Sequence, residues 1–117
     1  MENCIESSDH SSVPEISVAQ LAQLIERGSR PFLIDVREPF ERSLGHLGGI
    51  LIPGREVAHR LTDIPRDLDV VIYSQTGDQG RDVVSFLSEN YGFTNLVNLA
   101  GGIVAWSQDI DPTFFTL

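Results

Sequence analysis

One stretch of sequence decides the fold of this chain: Val70-Val71-Ile72-Tyr73-Ser74-Gln75-Thr76-Gly77-Asp78-Gln79-Gly80-Arg81. A short apolar run rich in β-branched residues ends in a tight polar loop, and the apolar spacing of the following residues 82–87 is helical. The order strand, loop, helix places backbone N–H groups and the positive end of a helix around a small pocket. Ser74 follows the strand on the rim of this pocket, where a nucleophile would lie in an enzyme.

Short apolar segments alternate with helical patterns on both sides of this stretch. Further strands are predicted at residues 14–16, 31–36, 50–53 and 96–99. Helices are predicted after an N-cap at Ser17 up to Gly28, at 55–61, at 80–89 and from Gly101 to about 110, with a turn or short helix at 37–42. The alternation predicts a single α/β domain in which helices cover both faces of a parallel sheet of about five strands.

The composition is that of one ordinary globular domain. The chain has 117 residues, of which 41% are hydrophobic, and this is enough to bury a single core. Residues 1–13 are polar and serine-rich, so we predict a disordered leader there and a folded domain over residues 14–117. No apolar run is long enough to span a bilayer and no signal peptide is visible, which favours a cytoplasmic location.

Charge and residue usage exclude several classes of function. The net charge of −9 argues against nucleic acid and against a membrane surface as partners. Every positive side chain is an arginine, so chemistry that needs a lysine, such as a Schiff base, is excluded. The single cysteine, Cys4, excludes an internal disulfide, and the three scattered histidines lack metal-ligand spacing. We therefore expect neither a metal nor a cofactor.

Several motifs follow one another in a recognisable order. They are Leu33-Ile34-Asp35-Val36-Arg37-Glu38, then Glu41, Gly45-His46-Leu47-Gly48-Gly49-Ile50 and Pro53, and after the central loop Gly92-Phe93-Thr94-Asn95-Leu96-Val97-Asn98-Leu99 and Gly101-Gly102-Ile103-Val104-Ala105-Trp106. In this order the sequence resembles the rhodanese homology domain, a sulfurtransferase fold, from about residue 15 to about residue 110. The tail at residues 106–112 is also similar to the end of the rhodanese domain fused to molybdopterin-synthase adenylyltransferases.

The resemblance implies transfer of sulfane sulfur from a donor such as thiosulfate to an acceptor thiophile. In that family a cysteine at the position of Ser74 carries the sulfur as a persulfide, within a loop of N–H donors that here comprises Gln75, Thr76, Gly77, Asp78, Gln79 and Gly80. A serine hydroxyl is barely ionised near neutral pH, and its oxygen cannot replace sulfur in a persulfide.

The charge of the loop also departs from the family pattern. Family members often carry an arginine near the positions of Gln75 and Gln79, which are neutral in this chain, and Asp78 adds a negative charge. Arg81 lies two residues past Gln79, where its side chain either turns back towards the loop or points away along the helix. Both the nucleophile and its charged surroundings are therefore altered.

We expect a family member that lacks sulfurtransferase activity and serves as a binding or regulatory module in a sulfur-transfer context. Its ligand at the Ser74 loop would be a protein partner or a small anion, and the chain would lie beside a neighbouring domain if it is part of a longer protein. The alternative is a thiosulfate or persulfide sulfurtransferase whose nucleophile was mutated to serine or is supplied by a partner protein. Cys4 lies outside the matched region and is interpreted as a tail residue.

Three further residues near the predicted pocket have competing interpretations. Asp35 is either catalytic or, as the resemblance favours, ties down the next loop through hydrogen bonds to backbone N–H groups. Arg37 either forms an ion-pair network with Glu38 or Glu41 at the mouth of the pocket or lies in a solvated turn, since surface ion pairs contribute little. His46 is considered as a general base towards the pocket serine, with Asp35 orienting it, but no Gly-x-Ser-x-Gly elbow supports a serine hydrolase.

Aromatic residues supply the remaining predictions. Phe86, Phe93 and Trp106 are predicted to lie in the core. Phe114 and Phe115 have two interpretations, in which they either fold back on the sheet or form a docking surface for a neighbouring domain.

Overall fold

The computed structural model describes residues 13–114. Residues 1–12 of the predicted leader, with Cys4 and His10, lie outside the described residues, as does Phe115. The described part contains the strands β1 (Glu15–Ile16), β2 (Phe32–Asp35), β3 (Ile50–Leu51), β4 (Val70–Tyr73) and β5 (Leu96–Leu99). Its α-helices are α1 (Val18–Glu26), α2 (Pro39–Arg42), α3 (Asp78–Tyr91) and α4 (Gly102–Asp109), and two 3₁₀ helices are present at Gly54–His59 and Leu61–Asp63.

The strands form one parallel sheet in the order β1-β5-β4-β2-β3, which confirms the predicted fold class. β4 is central, with β2 on one side and β5 on the other. In this register Tyr73 lies opposite Asp35, and Ile72 lies opposite Asn98. Because the strands are parallel, their carboxyl ends meet at one edge of the sheet, and Ser74 follows the central strand at that edge.

Two apolar cores lie on opposite faces of the sheet, and helices cover both, as predicted. On the face of α3 and the 3₁₀ helices the buried residues are Ile34, Val36, Ile52, Val57, Ile64, Val70, Ile72, Val83, Val84, Leu87, Phe93 and Leu96. On the face of α1 and α4 they are Val18, Leu21, Leu33, Val71, Tyr73, Leu99 and Ile103. All residues of β4 are buried, which explains why its sequence is apolar without alternation.

Helix α1 begins where its sequence predicts. The Ser17 hydroxyl accepts a hydrogen bond from the Gln20 backbone N–H at 3.1 Å, and the Gln20 side chain accepts one from the Ser17 N–H at 2.9 Å. This capping box satisfies N–H groups that the start of a helix leaves without intrahelical partners.

Two of the predicted helices have different bounds in the structure. Residues 55–61 do not form one α-helix, since bonds of the i,i+3 type, such as Arg60 N–H to the Val57 carbonyl, wind the segment into short 3₁₀ turns. Helix α3 begins at Asp78 instead of Gly80, because Gly77 adopts a left-handed conformation that turns the chain directly into the helix.

The core prediction holds for two aromatic residues and fails for a third. Phe93 is buried, and Trp106 packs partly buried against the face of α1 and α4. Phe86 is 39% exposed, and its ring meets Tyr91 edge-on with 5.7 Å between ring centroids. The buried stripe of α3 runs through residues 83, 84 and 87, and Phe86 projects beside this stripe because of the helical period.

The two ends of the described chain lie on opposite faces of the sheet. Val13, the last residue of the predicted leader, packs partly buried against the core beneath α3. Phe114 packs partly buried against the core beneath α1 and α4. Within residues 13–114, no helix is both long enough and apolar enough to cross a membrane.

Candidate functional site

Ser74 follows β4 directly and is 1% exposed. Its Oγ accepts two backbone hydrogen bonds, from the Gly77 N–H at 3.1 Å and from the Gly80 N–H at 3.0 Å. Both donors belong to residues 74–80, which we call the Ser74 loop and whose last residues form the first turn of α3. The Gly80 N–H is one of those that a helix start leaves unpaired, so the hydroxyl oxygen lies where these donors converge.

The two glycines of the Ser74 loop are required by its geometry. Gly77 has a φ of 96°, a left-handed conformation that side chains oppose. Gly80 lies inside α3, and a β-carbon there would overlap Asn98 Oδ1 and lie 3.3 Å from Ser74 Oγ. The loop therefore closes around the hydroxyl only because both positions lack side chains.

The first turn of α4 holds the beginning of the loop. The Ile103 N–H donates to the Ser74 carbonyl at 3.0 Å, and the Val104 N–H donates to the Gln75 carbonyl at 2.9 Å. These bonds use N–H groups at the start of a helix, so the positive end of α4 meets two loop carbonyls. The path of the loop is fixed by two helix starts, α3 and α4.

Polar side chains form the outer part of the loop. Gln75 is half-buried, whereas Thr76, Asp78 and Gln79 are exposed. The Gln79 side chain packs over Gly54, its Nε2 lying 2.6 Å from where a β-carbon of that glycine would be. Within residues 13–114, the backbone N–H groups of these four loop residues have no hydrogen-bond acceptor in the protein. They remain available to a ligand.

A buried ion pair lies beside the loop, at the end of β2. Asp35 is fully buried, and its Oδ1 accepts hydrogen bonds from the Arg37 backbone N–H at 3.0 Å and from Arg37 Nε at 2.9 Å. Its Oδ2 accepts from Arg37 Nη2 at 3.0 Å and lies 3.5 Å from Arg42 Nη1. The carboxylate ties down the chain that follows β2, in agreement with the structural interpretation of Asp35.

The predicted surroundings of Arg37 are wrong. Arg37 is 2% exposed, and its partner is Asp35, not Glu38 or Glu41. Glu38 pairs with Arg55 at 2.6 Å, and the Glu41 carboxylate accepts from the Glu38 N–H at 2.9 Å. A carboxylate buried at the end of a strand requires a compensating charge, and an arginine two residues later reaches back to provide it.

Arg37 also connects this ion pair to the Ser74 loop. Its Nη1 donates to Gln75 Oε1 at 3.2 Å, its Nη2 donates to the Gly45 carbonyl at 2.8 Å, and its guanidinium lies 5.8 Å from the Tyr73 ring centroid. Because Asp35 compensates its charge, Arg37 adds little positive potential to the loop.

His46 does not form the catalytic base considered from the sequence. Its Nδ1 accepts a hydrogen bond from the Gly48 N–H at 3.0 Å, and partial burial, with Arg42 nearby, lowers its pKa. Both carboxylate oxygens of Asp35 face arginine side chains, so they do not orient His46. Among the hydrogen bonds of residues 13–114, none joins His46 to Asp35 or to Ser74.

The Arg81 side chain is directed mainly at Glu15 of β1 and keeps one contact with the Ser74 loop, to the Asp78 carboxylate. Its Nε lies 3.2 Å and its Nη2 3.1 Å from Glu15 Oε2, and its Nη1 lies 3.4 Å from Asp78 Oδ1. Its charge is thus directed towards β1 and does not replace an arginine within the loop.

Sequence reasoning missed Asn98, which supports the loop from below. This residue of β5 is fully buried, and its Nδ2 donates to the Gly77 carbonyl at 3.1 Å and to Glu15 Oε2 at 2.8 Å. A signal was present, because an amide side chain interrupts an otherwise apolar strand of four residues. A buried polar side chain must find partners, and here they are the loop and β1.

Tyr73, the last residue of β4, was also missed. It is fully buried; its hydroxyl accepts from the Leu47 N–H at 3.1 Å and donates to the Gly48 carbonyl at 2.9 Å. Burial, reinforced by the negative charge of Asp35, raises the pKa of Tyr73 to about 12. Tyr73 therefore fixes the neighbouring loop of residues 45–49 as a neutral hydrogen-bonding group.

The site is suited to holding negative charge and lacks a base. Converging N–H groups stabilise an anion, either on the side chain of residue 74 or on a small ligand. Within the described residues, neither a histidine nor a carboxylate is hydrogen-bonded to Ser74, so nothing activates its hydroxyl. Residues 13–114 also contain no group of three or more histidine, cysteine or acidic side chains that could hold a metal ion.

Comparisons with known proteins agree with this geometry. The family model described as “Rhodanese-like domain” matches residues 17–109. A sulfurtransferase of Allochromatium vinosum is 33% identical over 97 residues, which cover 82% of this chain and 90% of the relative. A rhodanese-related protein from Thermoplasma volcanium, known as a crystal structure, superposes with a TM-score of 0.72 at 30% identity, covering 89% of this chain and 97% of that chain.

One relative is a much longer protein. The “Probable adenylyltransferase/sulfurtransferase MoeZ” of Mycobacterium tuberculosis is 33% identical over 100 residues, and the match covers 83% of this chain but 25% of that protein. This similarity agrees with the resemblance noted for residues 106–112. The family model spans most of the chain, and the sheet order, the loop after the central strand and these relatives lead to one conclusion. The chain belongs to the rhodanese-like domain family.

Proposed function

We propose that this chain is a rhodanese-like domain that does not catalyse sulfur transfer and acts as a binding module in a sulfur-transfer context. Its Ser74 loop would receive a small anion or a segment of a protein partner. The name of the Allochromatium relative, a sulfurtransferase, supports the context, and the side chain at the centre of the loop supports the loss of the reaction.

The observation that carries the proposal is the state of the Ser74 side chain. Its oxygen accepts N–H bonds at 3.1 and 3.0 Å and has no base beside it. Sulfur transfer through a persulfide requires a thiolate that forms an S–S bond with the donor sulfur. A hydroxyl in this position supplies neither the negative charge nor the sulfur atom, although it is held where a thiolate would be stabilised.

Charge around the loop supports weak binding of a small anion. Arg37 is compensated by Asp35, Arg81 is directed at Glu15, and Asp78 is an exposed acid at the start of α3. The unpaired N–H groups of the loop are then the main attraction for an anion, since Asp35 compensates Arg37, although Arg42 lies against the same carboxylate.

An apolar groove next to the loop supports a protein partner. The groove encloses about 330 Å³ between the first 3₁₀ helix and α3, and it is lined by Gln79 of the loop together with Val57, Val83 and Phe86, among others. Phe86 is 39% exposed there. Aromatic side chains that remain exposed in a groove are common contact points for partner proteins.

The decisive experiment compares the native chain with Ser74→Cys, and a Cys4→Ser version of each separates any reaction of Cys4 from a reaction at position 74. We expect no thiosulfate–cyanide turnover and no persulfide mass in the native chain. Ser88→Cys serves as the matched control, since it adds a thiol at an exposed position of α3, the helix that follows the Ser74 loop. Turnover by the native chain would overturn the proposal.

The alternative is a sulfurtransferase whose nucleophile was replaced by serine or comes from a partner, and the intact loop geometry favours it as the second candidate. A Ser74→Cys variant that gains both a persulfide and turnover, while Ser88→Cys gains neither, shows that serine alone blocks the chemistry. If Ser74→Cys remains inert, the loop has diverged beyond its central atom, and the binding function is strengthened.

Anion binding is tested separately by NMR titration of the native chain with thiosulfate and with sulfate, against chloride at equal ionic strength. We expect thiosulfate or sulfate to shift the backbone amides of residues 75–80 in a saturable way. Shifts spread evenly over the surface, or equal to those in chloride, would restrict the proposal to a protein partner.

A further inference from the structure

We propose that Glu15 is a positioning residue for the Ser74 loop: its carboxylate orients the buried Asn98 amide, which in turn holds the carbonyl of Gly77, the residue whose N–H group points at Ser74. This assigns a role in the site to an edge strand that lies two strands away from β4. This inference rests on the proposed function in one respect, that the Ser74 loop is the functional site. Its test requires neither turnover nor a ligand.

The first step is the orientation of the Asn98 amide. Its Nδ2 donates one proton to the Gly77 carbonyl at 3.1 Å and the other to Glu15 Oε2 at 2.8 Å. Its Oδ1 is buried and has no hydrogen-bond partner within residues 13–114. Only the Nδ2 side therefore fixes the amide, and Glu15 supplies one of its two acceptors.

The second step leads from Asn98 to the hydroxyl of Ser74. Gly77 has a φ of 96°, and as a glycine it has few conformational restraints of its own. Its carbonyl accepts from Asn98 Nδ2 and from the Arg81 N–H at 3.0 Å, while its N–H donates to Ser74 Oγ at 3.1 Å. The carbonyl and the N–H belong to the two peptide groups on either side of the Gly77 Cα, so the partners of the carbonyl act on the N–H by fixing the position of this Cα.

The third step concerns the placement of Glu15 itself. In the β1–β5 register Glu15 lies opposite Asn98, and its Oε2 also lies 3.1 Å from Arg81 Nη2. One carboxylate oxygen therefore joins β1, β5 and the first turn of α3. Without this carboxylate, one Asn98 proton would have no acceptor, and the amide could turn its orphan oxygen towards the loop.

Amide hydrogen exchange in the native Ser74 chain tests this arrangement. In Glu15→Ala we expect the Gly77 and Gly80 amides to exchange about tenfold faster, the change expected when one hydrogen bond is lost. In Glu15→Gln we expect near-native protection, because the side-chain carbonyl still accepts from Asn98. Glu26→Ala, which removes an exposed acid from α1, should leave both amides unchanged.

The pKa of a cysteine thiol introduced at position 74 provides a second measurement. A simple charge effect of Glu15 and the proposed positioning role predict shifts of this pKa in opposite directions. In the Ser74→Cys background, removing the Glu15 charge by Coulomb interaction alone would lower the pKa of the introduced thiol. Loss of aligned N–H donors would raise it, and we expect Glu15→Ala to raise it while Glu15→Gln does not. The pH dependence of thiol alkylation measures this shift without requiring sulfur transfer.

The outcomes separate the possible roles of Glu15. Unchanged exchange in Glu15→Ala, or a lowered thiol pKa, overturns the proposal. Equal effects of Glu15→Ala and Glu15→Gln also overturn it, since they would assign the effect to the ion pair with Arg81. Arg81→Gln removes that ion pair and keeps the Glu15–Asn98 bond, so it should leave the loop amides protected.

Discussion

The Ser74 loop and the Asp35 corner lie side by side at the same edge of the sheet and are built in opposite ways. By the Asp35 corner we mean Asp35, Arg37, Arg42, Tyr73 and the loop of residues 45–49. The Ser74 loop is held by backbone N–H groups and by glycines that allow close approach. The Asp35 corner is held by charged and aromatic side chains that bond to one another and to the backbone.

The two regions are therefore sensitive to different substitutions. The Ser74 loop is also bonded to α4 through the carbonyls of residues 74 and 75, so we expect it to keep much of its shape when the side chain at position 74 changes. A corner held by buried charges loses stability as soon as one partner is removed, because the other charge is left in a poorly solvated place. We therefore expect stability at this edge of the sheet to depend more on the Asp35 corner than on the Ser74 loop.

The largest effect is expected from breaking the Asp35 corner with Arg37→Met. The substitution leaves the buried carboxylate with the backbone N–H of residue 37 and with Arg42 at 3.5 Å, and should lower the free energy of unfolding by about 3–5 kcal/mol. Urea unfolding followed by circular dichroism measures the loss. The double variant Asp35→Leu, Arg37→Met should recover much of it, because the remaining charge, Arg42, is partly exposed and still donates to the Gly49 carbonyl.

Arg55→Met is the matched control for this prediction. Arg55 pairs with Glu38 on the surface, where such pairs contribute about 0–1 kcal/mol. If Arg37→Met lowers the free energy of unfolding no more than Arg55→Met does, the Asp35 corner does not stabilise this edge of the sheet as we expect.

A smaller effect is expected from alkaline pH, which acts on the Asp35 corner through Tyr73. Its pKa is raised to about 12 in the folded chain, against about 10 for an unfolded tyrosine. Between these values the unfolded chain has lost the proton and the folded chain keeps it. The stabilisation is therefore complete below about pH 10 and is lost as pH rises towards 12, by about 2–3 kcal/mol.

Urea unfolding at a series of alkaline pH values measures this loss. Tyr73→Phe should remove most of the pH dependence, although it also loses the hydrogen bonds to Leu47 and Gly48 at neutral pH. Tyr91→Phe, at an exposed position, should keep the dependence. If Tyr73→Phe and the native chain show the same alkaline slope, Tyr73 is not its source.

The smallest effect is expected from overfilling the Ser74 loop with Gly80→Ala. The new β-carbon would overlap Asn98 Oδ1 and lie 3.3 Å from Ser74 Oγ, and overpacking of this kind costs about 1–3 kcal/mol. Gly92→Ala is a useful comparison, because its β-carbon meets nothing within 4 Å although φ is 73°. It should therefore cost only the backbone strain, about 1 kcal/mol.

The two variants should also differ in what they do to the loop. Gly80→Ala should shift the NMR signals of the Gly77 amide and of residue 74, whereas Gly92→Ala should leave them in place. If the loop signals in Gly80→Ala remain at their native positions, Asn98 moves aside easily to make room for the new β-carbon. The Ser74 loop and the Asp35 corner would then differ less in rigidity than we expect.

Much of the fold could be predicted because it depends on local patterns. The apolar runs of β2 and β4, the cap at Ser17 and the turn at Gly77 each express a short-range preference, and together they define the parallel sheet. The loop that follows the central strand was placed from the same signals. The helix predictions differ most around residues 55–61 and 78–80, where single hydrogen bonds decide between helix types, and the third strand is shorter than predicted, at Ile50–Leu51.

The partners of buried polar groups could not be predicted in the same way. Arg37 looked like a surface residue because its sequence neighbours are charged, and its true partner becomes apparent only when the sheet brings the end of β2 against β4. Asn98 and Glu15 are 83 positions apart in the chain, and no local pattern announces their contact. Long-range polar pairing requires the fold to be known first.

The attachment of the Ser74 loop to α4 gives the protein an internal optical reporter. The carbonyls of residues 74 and 75 are bonded to the first turn of α4, and the only tryptophan of the chain, Trp106, lies one turn further along that helix. We expect a ligand that displaces the loop to displace this helix as well. Intrinsic fluorescence can therefore follow events at the site without a label.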